Sequence, residues 1–181
     1  MKRARLLFAP VLLVLSTPGL VAQGSPGDIP AEARHRLDHH IGVWDIRTEY
    51  LDQAGNVART VLGVDTARYI IPGRVVELTT AIEEVSCVSK AWAFYSIPTQ
   101  EYTLTSVDAR GELWILKGGL DEYVITSSPE TQEDGRVITI RFTHIDIEED
   151  SFTAAMEFSY DEGRTWQVGY NQYLTRRSAK D

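Results

Sequence analysis

Apolar and polar side chains alternate in short runs along residues 43–175, and turn residues separate these runs. In Val43–Leu51 the less polar side chains fall at every second position from Trp44 onwards, and charged residues stand between them. Phe152–Tyr160 repeats this alternation on one of its faces. A period of two places successive side chains on opposite faces of an extended chain. The pattern therefore predicts β-strands with one packed and one solvated face.

The connections between the runs carry the residues that tight turns require, as in Pro72-Gly73, Gly118-Gly119 and Asp134-Gly135. Glycine adopts the positive φ angles of many turns, and proline presets the backbone at the first turn position. Short connections make consecutive strands antiparallel neighbours in space. About ten such runs predict an all-β protein, folded as an antiparallel up-and-down barrel.

One segment, Ala31–His40, departs from this pattern and favours a helix. Pro30 stands where a first helical turn begins, and Gly42 follows where the helix would end. The buried side of this helix would consist of Ala33, Leu37 and Ile41. We expect this short N-terminal helix to plug one end of the barrel.

Residues 1–24 have the pattern of a secretory signal peptide. The positive charges at its start are those of Lys2, Arg3 and Arg5. The apolar run that follows, Leu6–Leu15, is too short to span a bilayer, which requires ~20 such residues. Small residues at Ala22 and Gly24 offer two cleavage positions. The pattern predicts export to the periplasm or the extracellular space.

Charge excludes two classes of partner. Removing residues 1–24 takes away three of the 18 basic residues and none of the 26 acidic ones, which leaves a net charge of −11. Nucleic-acid binding requires a basic surface, and an anionic membrane would repel a protein of this charge. We therefore expect neither nucleic-acid binding nor membrane insertion of the mature chain. The oligomeric state stays open.

Three parts of the chain share features with a known group of proteins. Gly42-Val43-Trp44 opens the first strand directly after the helix, Tyr69–Leu78 forms the middle hairpin, and Tyr173-Leu174-Thr175-Arg176 ends the last strand. This order resembles the lipocalin-like calycins, and among them the exported bacterial domains of unknown function. The resemblance implies a lipocalin-like domain over residues 37–177, with residues 25–36 as a linker and the start of the helix.

The same resemblance implies two structural roles and a general function. In lipocalins a Trp closes the base of the barrel against an Arg from near the end of the chain, and Trp44 and Arg176 match those positions. Contact between an indole ring and a guanidinium is a favourable cation–π interaction. Lipocalins carry small apolar molecules, and this is the function that the resemblance implies.

A second motif lies near the C-terminal end of the chain. Ser159-Tyr160-Asp161-Glu162-Gly163-Arg164-Thr165-Trp166 matches the Asp-box hairpin of sialidases and other propellers at each defined position. Asp161 would accept backbone N–H groups, Gly163 would take a positive φ, and Trp166 would pack beneath the turn. A propeller needs several such blades, whereas this chain has one copy. The motif predicts a rigid hairpin and no sialidase activity.

His144 is the histidine with the most informative position. It shares a strand face with Ile140 and Phe142, so it is expected to point into the lumen unless the strand register shifts by one residue. Some calycin-like barrels bind haem through one inward histidine, which makes haem an alternative cofactor. A core histidine bonded to a neighbour is the other interpretation. His35 and His39 have chelating i, i+4 spacing but lack a third ligand, so no metal site is predicted.

Three classes of function remain open. A binding protein for a small apolar or amphipathic ligand is favoured, because such barrels enclose cavities. Its predicted wall consists of Tyr50, Trp92, Phe94, His144 and Phe158, with Glu77 as a polar anchor inside. An enzyme would use Glu77 or His144 as an inward titratable group, although the sequence assigns no catalytic residue. A protein-interaction module of the envelope would instead expose a large apolar patch.

Overall fold

The computed structural model describes residues 27–82, 84, 87–120, 123–132 and 134–178. The predicted signal peptide, residues 1–24, lies outside the described residues. The elements, in chain order, are α1 (Ala31–His40), β1 (Gly42–Leu51), β2 (Val57–Ile71), β3 (Val75–Ile82), β4 (Cys87–Ser96), β5 (Glu101–Asp108), β6 (Leu113–Gly118), β7 (Val124–Ser127), β8 (Glu130–Thr131), β9 (Val137–Ile145), β10 (Ser151–Ser159) and β11 (Gln167–Arg176). No helix in these parts of the chain combines the length and the apolar character that a membrane crossing requires.

Ten of the strands close into one antiparallel barrel. Each strand from β1 to β6 pairs with the next, β7 pairs with β9, and β9 to β11 continue in order until β11 pairs with β1. The short β8 pairs at the edge of β9, beginning with Glu130 opposite Ile138. This architecture confirms the predicted all-β up-and-down barrel with one short helix.

The burial pattern of β1 shows why the sequence forms such strands. Trp44 and Ile46 are buried, whereas Asp45 and Arg47 on the opposite face are exposed. Each apolar side chain removed from water in this way contributes roughly 1.5–3 kcal/mol to folding. The alternation therefore directs one face of the strand into the barrel and leaves the other face in water.

Helix α1 lies across one end of the barrel. Ala33 and Leu37 are fully buried in the main core cluster, and Ile41 packs at its edge. Close to the end of β2, the Tyr69 hydroxyl donates a 2.7 Å hydrogen bond to Asp38 Oδ1 of the helix. The helix closes this end of the barrel, as the sequence predicts.

The first and last strands of the barrel are neighbours. β1 and β11 pair from Trp44 opposite Arg176 to Tyr50 opposite Tyr170. Arg176 Nη1 donates a 2.6 Å hydrogen bond to the Ile41 carbonyl, and its guanidinium carbon lies 4.1 Å from the centroid of the Trp44 ring. This is the stacked pair that the resemblance implies. It joins the end of the chain to the end of the helix.

The β10–β11 hairpin is fixed by its own side chains. Asp161 Oδ1 accepts hydrogen bonds from the Thr165 N–H and the Ser159 hydroxyl, each at 2.8 Å. Gly163 has a φ of 86°, in the region that favours glycine, and the Trp166 ring lies against it. Hydrogen bonds from Thr165 and Ser159 lower the pKa of Asp161 to about 2. These contacts order the turn without any ligand.

Candidate ligand-binding cavity

The interior of the barrel contains a cavity of about 310 Å³. Its apolar lining includes Leu78, Ile82, Leu104, Trp114, Ile140 and Met156. The polar side chains that reach it are those of His40, Tyr50, Asp65, Thr80, Ser89, Tyr102, Ser106, His144, Tyr170 and Gln172. A concave site that combines apolar side chains with polar groups at defined positions is the usual form of a small-molecule site.

The cavity has a floor at the helix end of the barrel and a mouth at the opposite end. His144 and Phe152 lie at the strand ends beside α1, with ring centroids 5.3 Å apart. Tyr50 and Tyr170 lie near the far ends of β1 and β11, with ring centroids 5.6 Å apart. Because consecutive strands run in opposite directions, Trp114 near the start of β6 also belongs to the mouth. A bound molecule would therefore extend from a histidine floor to an aromatic mouth.

His144 brings an unsatisfied polar atom to the floor. Its ring lies 5.4 Å from that of His40 in an edge-to-face contact, and its Nδ1 is buried without a hydrogen-bond partner among the described residues. Burial, reinforced by the positive charge of Arg36, lowers the pKa of His144 to about 3. The imidazole is therefore neutral at physiological pH, and one of its ring nitrogens is left without a hydrogen bond.

His40 and Tyr102 form a neutral pair beside His144. The His40 Nε2 and the Tyr102 hydroxyl oxygen are 3.2 Å apart, and both side chains are buried. Burial raises the pKa of Tyr102 to about 12, while burial and the neighbouring His144 lower the pKa of His40 well below its usual value. The His40 carbonyl accepts a 2.9 Å hydrogen bond from Trp44 Nε1, which fixes the end of α1 over the floor.

Arg36 lies behind this pair. It is 1% exposed, and its guanidinium carbon lies 4.1 Å from the ring centroid of Tyr102 and 5.0 Å from that of Tyr123. Nη1 donates a 3.0 Å hydrogen bond to the Gly119 carbonyl, whereas the buried Nε has no partner among the described residues. Burial lowers the pKa of Arg36, yet arginine keeps its charge in proteins. A positive charge therefore stands immediately beneath the floor.

Asp65 is an acidic group on the wall, four strands from His144 around the ring. It is 7% exposed, and the Thr80 hydroxyl donates a 3.0 Å hydrogen bond to its Oδ1. Burial raises the pKa of Asp65 to about 6, although the hydrogen bond from Thr80 opposes the shift. The wall thus holds a carboxyl group that changes its charge close to neutral pH.

Of the six predicted wall residues, Tyr50 lines the mouth of the cavity and His144 lines its floor. Phe158 also lies on the inner face of β10, opposite Ile140 of β9. Its ring fills the space beside Gly169, which has no Cβ, and Phe158 is therefore part of the core rather than of the cavity lining.

Glu77, Trp92 and Phe94 face outward, which corrects the expectation that they line the lumen. Glu77 lies opposite Trp92 in the pairing of β3 with β4 and accepts hydrogen bonds from Arg68 and Lys90 at 3.0 and 3.2 Å. The Arg68 side chain is 76% exposed, so this ion pair stands on the outer surface.

The inner positions of β4 belong to small residues. Ala91 lines the cavity and Ala93 is fully buried. The register places Leu78 of β3 opposite Ala91, so a large side chain faces a small one across the inner surface. The size of a side chain therefore does not identify the inner face of this strand, and the expectation that Trp92 and Phe94 line the lumen is wrong.

Arg36, His40, Asp65 and Tyr102 are site residues that are absent from the predicted wall. Arg36 and His40 extend the buried stripe of α1 at helical spacing from Ala33, and this wider stripe is a signal in the sequence. Asp65 and Tyr102 stand on strands, where the type of a polar residue does not tell which face it occupies.

Comparisons with known proteins leave the function to be inferred from this geometry. A scan against models of protein families and a search of curated proteins find no match for the chain. Within the described ranges, no group of three His, Cys, Asp or Glu side chains is placed to hold a metal ion. His35 is exposed, and His39 packs edge-on against Phe152 at 4.6 Å. The closed barrel with its short helix is consistent with a calycin-like fold.

Proposed function

We propose that this protein is an exported, lipocalin-like barrel that binds a small apolar or amphipathic molecule in its interior. The observation that carries the proposal is the cavity of about 310 Å³ with His144 at its floor. The apolar lining favours an apolar ligand body, because removing apolar surface from water is favourable. The unpaired Nδ1 of His144 favours a polar group at the inner end of the ligand, since buried polar atoms are normally hydrogen-bonded.

The cavity offers a matched pair of variants on β10. Ala154 lines the cavity, whereas the next residue, Ala155, faces outward. Ala154→Leu is expected to weaken binding of the neutral fluorescent probe N-phenylnaphthylamine by about tenfold or more, because the added methyl groups occupy its space. Ala155→Leu is expected to bind the probe as the unaltered protein does. The change in fluorescence of the probe on binding measures both affinities.

Mass spectrometry under native conditions provides a second measurement of the same proposal. A small molecule retained by the protein purified from its native periplasm, and by the Ala155→Leu variant, is expected to be absent from Ala154→Leu. Equal probe affinity in the two variants would place the binding outside the lumen. No binding to the unaltered protein would remove the proposal.

Export is supported by the pattern of residues 1–24. In a secreting host, cleavage is expected after Ala22 or Gly24, and N-terminal sequencing of the periplasmic protein measures this position. Leu13→Arg interrupts the apolar run and is expected to leave the uncleaved chain inside the cell. A periplasmic protein that keeps its first residue would contradict cleavage at these positions.

An enzyme is the second candidate, and Asp65 is the observation that favours it. A buried carboxyl group with a pKa raised to about 6, beside a cavity, has the properties of a general base. Glu77 lies outside the lumen and no longer supports this candidate. The third class, an interaction module, stays a prediction, and the exposed apolar residues include Leu62 of β2 and the neighbouring Leu113 and Ile115 of β6.

Haem held by His144 stays an alternative that this geometry does not support. The rings of His40 and Phe152 lie 5.4 and 5.3 Å from that of His144, so a macrocycle at this nitrogen would require both rings to move. A Soret band after addition of haem, lost in His144→Ala, is the measurement that decides the matter.

A further inference from the structure

Arg36 is a buried cation for which the described residues supply no counter-ion. Among the described residues its contacts are with the Gly119 carbonyl and with the rings of Tyr102 and Tyr123, and none of them forms a hydrogen bond with its Nε. Stacking on aromatic rings and one hydrogen bond to a carbonyl are favourable, but neither neutralises the charge. A buried charge without an opposite charge is unfavourable. A molecule that brought a negative charge close to Arg36 would relieve this penalty.

The charge of Arg36 reaches the cavity through Tyr102. The ring of Tyr102 contacts the guanidinium, while its hydroxyl contacts His40, and both Tyr102 and His40 line the cavity. Besides burial, the positive charge of Arg36 lowers the pKa of His40 and of His144. In an interior of low dielectric constant, a single charge acts over several ångströms. The floor is therefore electropositive, although both histidines are neutral.

The floor also offers hydrogen bonds that the protein itself does not use. A neutral imidazole carries one N–H donor and one acceptor nitrogen, and the buried Nδ1 of His144 has no partner among the described residues. Hydrogen bonds to an ionised acceptor are shorter and stronger than those between neutral groups. An anionic head group would be attracted by the positive charge of Arg36 and would form a hydrogen bond with the unpaired Nδ1 of His144.

Building on the proposed binding function, we infer that the ligand is an amphipathic anion of the carboxylate class. Its head group lies on the floor against His144 and Tyr102, with Arg36 as the counter-charge beneath. Its apolar body extends along the lining towards the mouth at Tyr50. Asp65, the acidic group of the wall, stands four of the ten strands away from His144, on the other side of the lumen.

A series of ligands with one chain length and different head groups tests this inference on the unaltered protein. Decanoate, decanol and decyltrimethylammonium are each titrated against the protein loaded with N-phenylnaphthylamine. Decanoate is expected to displace the probe about tenfold more tightly than decanol, because only decanoate gains charge-assisted contacts at the floor. Decyltrimethylammonium is expected to be the weakest competitor.

Two arginine variants show whether the preference arises at the floor. Arg36→Met keeps an unbranched side chain but removes its charge, and it is expected to abolish the preference for decanoate over decanol. Arg34→Met, two residues away on the exposed side of α1, is the control and is expected to keep the preference.

The outcomes separate the two proposals. Probe binding with equal displacement by decanoate and decanol would overturn the anionic head group and leave the binding function intact. Stronger displacement by the ammonium would also overturn the anionic head group. No probe binding and no displacement by any of the three would overturn both proposals. If Arg36→Met fails to fold, the head-group series on the unaltered protein still decides the inference.

Discussion

Replacing Trp44 with alanine is expected to lower the free energy of unfolding by about 3–5 kcal/mol, the usual cost for a buried tryptophan. Trp44 is 1% exposed and packs edge-to-face on Phe152 with centroids 5.1 Å apart. Its Nε1 donates to the His40 carbonyl, and the Arg176 guanidinium stacks on its ring. The substitution therefore removes the contact that joins the helix, the first strand and the last strand.

Thermal or urea unfolding measures this loss, which corresponds to a lower melting temperature by roughly 6–20 °C for a domain of this size. Trp92→Ala is the matched control, because Trp92 faces outward and is half-buried. A much smaller effect is expected there. A folded Trp44→Ala protein that melts within a degree or two of the unaltered one would contradict the structural role of Trp44.

Acid is expected to destabilise the protein through the buried histidines of the floor. Burial lowers the pKa of His144 from 6.5 to about 3. Between these two pH values the unfolded chain binds a proton at His144 and the folded protein does not. The contribution of neutral His144 to the free energy of unfolding is therefore fully present above pH 6.5 and is lost as the pH falls below that value. Between pH 6.5 and pH 5, His144 alone is expected to lower the free energy of unfolding by about 2 kcal/mol. His40 acts in the same direction.

Comparison with His144→Gln isolates this share, because glutamine does not titrate. Urea unfolding at pH 7 and pH 5 is expected to show a smaller loss of stability in the variant. Asp65 acts in the opposite sense in both proteins, since its raised pKa of about 6 favours the folded state as the carboxyl group takes up a proton. Equal losses in the two proteins would show that His144 is not buried as a neutral group.

The barrel could be predicted because it is specified by local patterns. The alternation around Trp44 and the turn at Pro72-Gly73 each determine a strand or a hairpin without reference to distant residues. Closure of the ring then follows from the order of strands. The Asp-box turn is equally local, since Asp161 accepts hydrogen bonds from Ser159 and Thr165, which lie within four positions of it.

The cavity could not be predicted in the same way, because its lining depends on side chains from distant strands. Alternation shows that Trp92 and Ala91 lie on opposite faces, but it does not show which face is inside. The position of Asp65 has the same ambiguity. Arg36 lies beneath the floor, where the ring of Tyr102, far along the chain, packs on its guanidinium. Such pairings are properties of the three-dimensional fold.

The pairing of β1 with β11 has a consequence for the newly made chain. This pairing brings together residues that are far apart in the sequence, and the nearby hydrogen bond from Arg176 to Ile41 spans 135 positions. Contacts of such separation form late, because a long loop must be ordered first. Until β11 has been made, β1 and β10 each present an unpaired edge, through which separate copies associate. We therefore expect a chain that ends before Gln167 to form an open sheet that self-associates, rather than a smaller barrel.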